Sequence, residues 1–320
     1  MSLDKPNFDS KPIESKEKFP KLHFDFFFAP HATEEDAKGL EESFKQADIF
    51  IPEMLGWRQK DLDRFQALSA GKITPGDDVF KRADGSRIAE IKMIYQSGKP
   101  VVFIDLDREG KDSLYSSFEK LELPFGNSVN FGDQINKFRE YFKEDARLRQ
   151  KREDTMISNL LPQIKRVLQE RPDLARKKNL KILLRLGAMH TRLFLKLKED
   201  RQDTSRKFNS PIITYSYIDQ GRRALGMGKS FSDDLAAHGL LDYLLQPVQR
   251  EIRKLSNDTN IISDYYRKII SEFSYEEIRD VFSQQNKEAA LIKAVEYFDK
   301  KEISFPKSQK EMINFLEKND

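Results

Sequence analysis

The feature that most constrains this chain is a set of short, near-continuous apolar runs, each of strand length and each ending on a polar side chain. Leu22-His23-Phe24-Asp25-Phe26-Phe27-Phe28-Ala29 stops at Pro30-His31, and Asp48-Ile49-Phe50-Ile51 stops at Pro52-Glu53. Pro100-Val101-Val102-Phe103-Ile104 leads to Asp105 and Asp107, and Leu180 to Leu186 leads to Gly187-Ala188-Met189-His190. A further candidate strand is Ile212 to Tyr217. Runs of this kind fit strands buried on both faces, which occur chiefly in parallel sheets. Helical patterns alternate with them. Thr33 reads as an N-cap with Glu34, Glu35 and Asp36 in the first turn of a helix reaching Ala47. Further helical stretches lie near Lys60 to Ala70, Ser86 to Gln96 and Asp133 to Glu170, the last with a bend or interruption expected near Pro162. The expected fold class is therefore α/β: a mostly parallel sheet with helices on both faces.

Three regions follow. Residues 1–20 carry Pro6, Pro12 and Pro20 among charged residues and read as a flexible N-terminal arm. Residues 21–231 hold the strand and helix alternation. From 232 to 320 the signals are helical only, with capping-box patterns at Ser274 to Glu277 and Ser308 to Glu311, so a helical extension packed on the α/β domain is expected.

Composition removes several function classes. Lys and Arg number 56 against 53 Asp and Glu, and this net charge of +3 offers no basic block for nucleic acid. The 24 phenylalanines supply a core, so the chain is not of the disordered class. Cysteine is absent, which excludes disulfides, thiolate metal sites and cysteine nucleophiles. No run approaches the roughly 18 apolar residues of a membrane span, and no apolar leader follows Met1, so a cytoplasmic location is expected. Gly226-Met227-Gly228-Lys229-Ser230 resembles a phosphate loop, but Arg223 stands where its first glycine is required, and no nucleotide site is expected.

In an open parallel sheet all carboxyl ends of the strands lie along one edge, where ligands bind. His31, Glu53, Asp105 and His190 stand at such ends, which brings them within reach of one pocket. Two imidazoles with a carboxylate suit a divalent ion such as Zn, Mn or Fe, and equally a general base with an orienting carboxylate. Arg152 adds a cation. Reading every fourth residue gives Leu148, Arg152, Met156, Leu160, Ile164 and Leu168, so a guanidinium sits in an apolar stripe and needs an anionic partner. His23 and His238 read as structural. Asp105 is balanced between a turn and the site, and Trp57 between the core and a pocket wall.

These residues carry a resemblance to the superfamily that joins erythromycin esterases, the haem-binding lipoprotein ChaN and the TraB/Tiki proteins. Members have two strand-end histidines in GxxH-like motifs, a glutamate closing the second strand, and a helix motif reading approximately R-[DEN]-x-x-M. The chain is similar in Gly187-Ala188-Met189-His190, in Arg152-Glu153-Asp154-Thr155-Met156 and in Glu53; its first motif, Phe28-Ala29-Pro30-His31, lacks the glycine. The resemblance spans Lys21 to Tyr217. It implies an α/β fold with a strand-end pocket and three alternative activities: ester hydrolysis with His31 as base on water, metal-dependent peptide hydrolysis with His31, Glu53 and His190 as ligands, or haem binding.

The combined expectation is a cytoplasmic hydrolase of a small-molecule or peptide ester or amide, with His31, Glu53, Arg152 and His190 as its site and a divalent metal as possible aid. The alternative is a protein that binds haem, a metal or an anionic ligand without chemistry.

Overall fold

Parallel strands can pair only if the chain returns to the same end of the sheet, and helical crossovers make that return. The computed structural model describes residues 19–319 apart from 30–36, 38, 78–79, 81–84, 127–129, 188–189, 209–215, 227 and 231. Its four strands, β1 (Lys21–Phe28), β2 (Ile49–Pro52), β3 (Asn179–Leu186) and β4 (Asp203–Phe208), run parallel in the order β2-β3-β1-β4. β1 and β3 pair along their whole length, from Lys21 opposite Asn179 to Phe28 opposite Leu186. The fold is α/β.

Helices cover both faces, which explains why the strands need not alternate. After β1 come α1 (Leu40–Gln46), then α2 (Gln59–Ser69), α3 (Gly85–Ile94) and α4 (Arg108–Tyr115). Phe27, Phe50 and Leu183 point to one face and pack with Phe44 of α1, Phe65 of α2 and Ile94 of α3. The other face carries α5 (Phe131–Glu170), α6 (Pro172–Ala175) and α7 (Thr191–Glu199). There Phe24, Phe26 and Phe28 meet Met156, Leu160 and Ile164 of α5 and Leu193 of α7.

Three expectations change. Pro100 to Ile104 is no strand of the sheet; it runs beside β2 through a single bridge, Phe50 to Val101, with Phe50 N–H donating to Pro100 O and Val102 N–H to Phe50 O. The fourth strand is Asp203–Phe208, whose polar, mostly exposed sequence fits a sheet edge and carries no apolar signal. Of the candidate strand Ile212 to Tyr217, residues 212–215 lie outside the described residues, and Tyr217 opens a helix. Pro162 does not interrupt α5, which is continuous over 40 residues. The proline stands on the exposed side, so the carbonyl it leaves without a partner can take water.

The remaining helices are α8 (Tyr217–Gly226), α9 (Asp233–Leu244), α10 (Gln246–Ile252), α11 (Thr259–Ser271), α12 (Tyr275–Phe282), α13 (Lys287–Lys300) and α14 (Gln309–Asn319). The capping box at Ser274 and Glu277 is formed. These helices share a core that begins before residue 232, because Leu121 and the first turns of α5 (Phe131, Ile135, Phe138, Phe142) belong to it. α5 thus serves two cores, its start in the helical one and its end on the sheet. Among the described residues no helix is long and apolar enough to cross a membrane.

α9 approaches α5 closely at Gly239. A Cβ there would lie 2.8 Å from the Phe138 ring, which is itself buried and packed on Phe142 at 4.5 Å. Gly239→Ala should therefore destabilise the protein by about 1–3 kcal/mol through overpacking, read as a lowered urea midpoint.

Candidate functional site

The carboxyl edge of the sheet gathers charged side chains that the strands themselves position. Glu53 follows β2 directly, and its N–H donates to Arg185 O at 3.0 Å, which extends the ladder by one residue and fixes the Cα–Cβ direction. Its side chain turns toward α5, the same face as Ile49 and Ile51. Asp105 ends the segment beside β2 and is 1% exposed. Trp57 Nε1 donates to the Asp105 carbonyl at 2.9 Å while its ring packs on Phe103, so Trp57 holds the turn that presents Asp105.

Arg152 reaches both carboxylates from α5. Nε donates to Asp105 Oδ1 at 2.8 Å and Nη2 donates to Asp105 Oδ2 and, at 2.7 Å, to Glu53 Oε1. The anionic partner required by the apolar stripe is therefore this pair of carboxylates. Burial works against the charge on Arg152, but its bonds to Asp105 and the charge of Glu53 outweigh it and hold the guanidinium more firmly protonated than usual.

His190 completes the cluster. Its Nε2 lies 3.0 Å from Glu53 Oε1 and its Nδ1 lies 3.2 Å from Glu153 Oε1. A carboxylate only accepts, so a ring nitrogen facing each of two carboxylates must carry a proton on both sides: the ring is an imidazolium. Burial alone would lower its pKa; the charge of Glu53 and the hydrogen bonds to Glu153 and Glu53 overcome this and push it up to about 9. Glu53 is held well below the usual carboxylate range. Burial would raise it, but the charge and hydrogen bond of His190, the charge of Arg152 and the Gly187 N–H, 2.7 Å from Oε2, prevail.

Glu53, Arg152 and His190 thus meet as the sequence suggested, together with Asp105. His31 lies outside the described residues. Glu153, buried beside Arg152, is a site residue that sequence reasoning missed, although it fills the acidic position of the R-[DEN]-x-x-M pattern. His23 bonds Asp25 at 2.8 Å near the opposite end of β1, and His238 bonds two backbone carbonyls in the helical core.

The described donors do not present a metal-ligand set. Both nitrogens of His190 are turned to carboxylates and carry protons, and both oxygens of Glu53 accept hydrogen bonds from within the chain. No group of three or more His, Asp or Glu among the described residues could hold an ion.

A second charged cluster lies on the other face of the same edge. Arg185, fully buried in β3, pairs with the fully buried Glu90 of α3 at 3.1 Å. Arg87 also bonds Glu90 and donates from Nη2 to the Glu53 carbonyl at 2.8 Å, joining the two clusters. Burial raises Glu90 to about 7 against the pull of Arg87, with Glu53 adding to the rise, and lowers Arg185 to about 9. Arg185 was hidden from sequence reading inside an apolar strand.

His190 and Glu153 also form part of the wall of a cavity of about 630 Å3 between α5, α7 and α8. Arg149, Arg192, Lys196, Arg222 and Arg223 stand around it. Compared with family models, curated proteins and solved structures, the chain matches none.

Two outcomes follow from the charges. The folded state holds the His190 proton more tightly than the unfolded chain, so its contribution is full below pH 6.5 and is lost as pH rises through about 9. Between pH 6 and 9.5 the unfolding free energy from urea titrations should fall in the native protein by an amount on the order of 2–3 kcal/mol more than in His190→Gln. Arg185→Met alone should cost about 3–5 kcal/mol by leaving Glu90 short of a partner, and adding Glu90→Leu should recover much of that loss in the same assay.

Proposed function

We propose that this chain is a hydrolase of an ester or amide in which His190 is the proton donor and Glu153 the proton acceptor. The observation that carries the reading is the His190 imidazolium, held between Glu53 and Glu153 at the wall of a cavity beside the carboxyl edge of a parallel sheet. Water adds to the substrate carbonyl as Glu153 takes its proton. The carbon to oxygen or carbon to nitrogen bond then breaks as His190 protonates the leaving group. The Glu153 proton returns to the neutral imidazole along their shared hydrogen bond, which restores the starting state. Glu53 fixes the ring and stabilises its charge, and Arg152 positions Glu53. His31, which the resemblance to erythromycin esterases and their relatives makes the base on water, is a second acceptor in this reading. A cytoplasmic setting accompanies it.

A binding protein without chemistry is the second reading. It is favoured by the mutual neutralisation of Arg152 with Asp105 and Glu53, which leaves that guanidinium committed within the protein.

Hydrolysis across a panel of alkyl and aryl esters and peptide amides, neutral and anionic, separates the two. Glu153→Gln and His190→Gln should each lose about a hundredfold or more in kcat, and native activity should fall as pH rises through about 9, where His190 loses its proton. Turnover unchanged in both variants would remove the assignment, and no turnover of any substrate would leave the binding reading.

A further inference from the structure

The cavity beside His190 has walls of one dominant charge, contributed by three separate helices. Arg149 comes from α5, Arg192 and Lys196 from α7, and Arg222 and Arg223 from α8, against Glu153 and Glu199 on the same lining. Several of these cations have carboxylate partners. Asp145 is shared by the Nε atoms of Arg149 and Arg222 at 3.0 and 2.9 Å, Asp154 bonds Arg192 at 2.7 Å, and Asp200 lies 3.1 Å from Lys196. None of those three aspartates is among the described residues that line the cavity. These three aspartates back the cations and hold them in place, whereas Glu199, which is on the lining, lies 3.9 Å from Lys196 and offsets that lysine, so the arginines are the groups that border the open space with their charge. A guanidinium carries five N–H donors; the bond to Asp145 occupies the Nε of Arg149, and one Nη of Arg192 donates both to Asp154 and, at 3.1 Å, to Gln150 O. The Arg222 guanidinium is fixed further by lying 5.0 Å over the Phe142 ring.

The backbone adds to the same sign. Thr191 and Arg192, the first two residues of α7, are on the lining, so the positive end of a nine-residue helix borders the cavity. His190 stands at its N-cap with its ring turned to Glu53 and Glu153 and away from the first-turn N–H groups. Ordered arginine forks, a helix start and a space of this size suit a compact oxyanion on a small molecule.

We infer that this cavity is the substrate pocket of the proposed hydrolase and takes a small molecule bearing a multiply charged phosphate or carboxylate group. The oxyanion lies on Arg149 and Arg192, and the reacting bond lies over His190 and Glu153. This rests on the hydrolase reading for the reaction, but the binding claim can be tested without any turnover.

Isothermal titration of the full-length protein with pyrophosphate and, separately, with citrate tests it, with glycerol as the uncharged probe. Saturable binding of at least one anion and none of glycerol is expected, and the preferred anion distinguishes a phosphate from a carboxylate group. Arg149→Gln combined with Arg192→Gln should weaken that binding at least about tenfold. Asp145 keeps Arg222 in this variant and Asp154 is mostly solvated, so the melting temperature should stay close to native. Lys45→Gln with Lys92→Gln, in the separate groove between α1 and α3, should leave binding unchanged. Absence of saturable binding to the native protein, or equal loss in the groove variant, overturns the inference. Anion binding without hydrolysis would retain the pocket and remove the hydrolase, whereas His190-dependent hydrolysis of neutral esters without anion binding would do the reverse.

Discussion

A guanidinium taken out of water is tolerable only where carboxylates meet it with good geometry, and the site is organised around that demand. Arg152 is carried by α5, while its partners arrive on two other segments, Glu53 at the end of β2 and Asp105 at the end of the stretch beside it. Fixing the three together sets how α5 lies over the sheet at this edge. It also places three carboxylates, Glu53, Asp105 and Glu153, close to one another, which requires a second cation. His190 supplies it, and for that reason the ring holds its proton above neutral pH. The Arg185 and Glu90 pair repeats the device on the opposite face, with Arg87 linking the two.

In the proposed reaction this arrangement lets the histidine serve as the acid without a metal ligand's geometry. Its proton is kept by two neighbours of opposite charge, and one of them, Glu153, borders the cavity with it. The other, Glu53, is fastened by a backbone N–H and a guanidinium and so acts as an anchor. The division of work between two acidic residues on one ring follows from their surroundings, not from their chemistry.

Much of this edge was legible in the sequence because strand ends are marked by abrupt changes from apolar to polar residues. Glu53 and His190 each sit at such a change, and Arg152 betrayed itself as a charge in an apolar stripe. What the sequence could not display was the pairing. The stripe shows that Arg152 needs an anion but not which one, since nothing in a linear pattern shows that two distant carboxylates meet it. Glu153 escaped because an acidic residue in a charged helix has the same appearance whether it faces water or a buried imidazole. Arg185 escaped because the apolar neighbours that identify β3 as buried give no hint that Glu90 lies across from it. β4 was missed for a different reason: an edge strand is held by its backbone bonds and its polar side chains leave no periodic trace. The Val101 to Ile104 run shows the converse, since an apolar segment can be fully buried while joining the sheet through one bridge.

The shared helix has a consequence for how the molecule can be divided. At about 1.5 Å of rise per residue, the 40 residues of α5 extend some 60 Å, far enough for its two ends to belong to different interiors. Shortening the polypeptide before α9 would spare every residue of the charged cluster and still strip the cover from Phe131, Ile135 and Phe138. The α/β portion is therefore no excisable cassette, because the beam that mounts Arg152 and Glu153 would carry bare apolar rings into water at its other end.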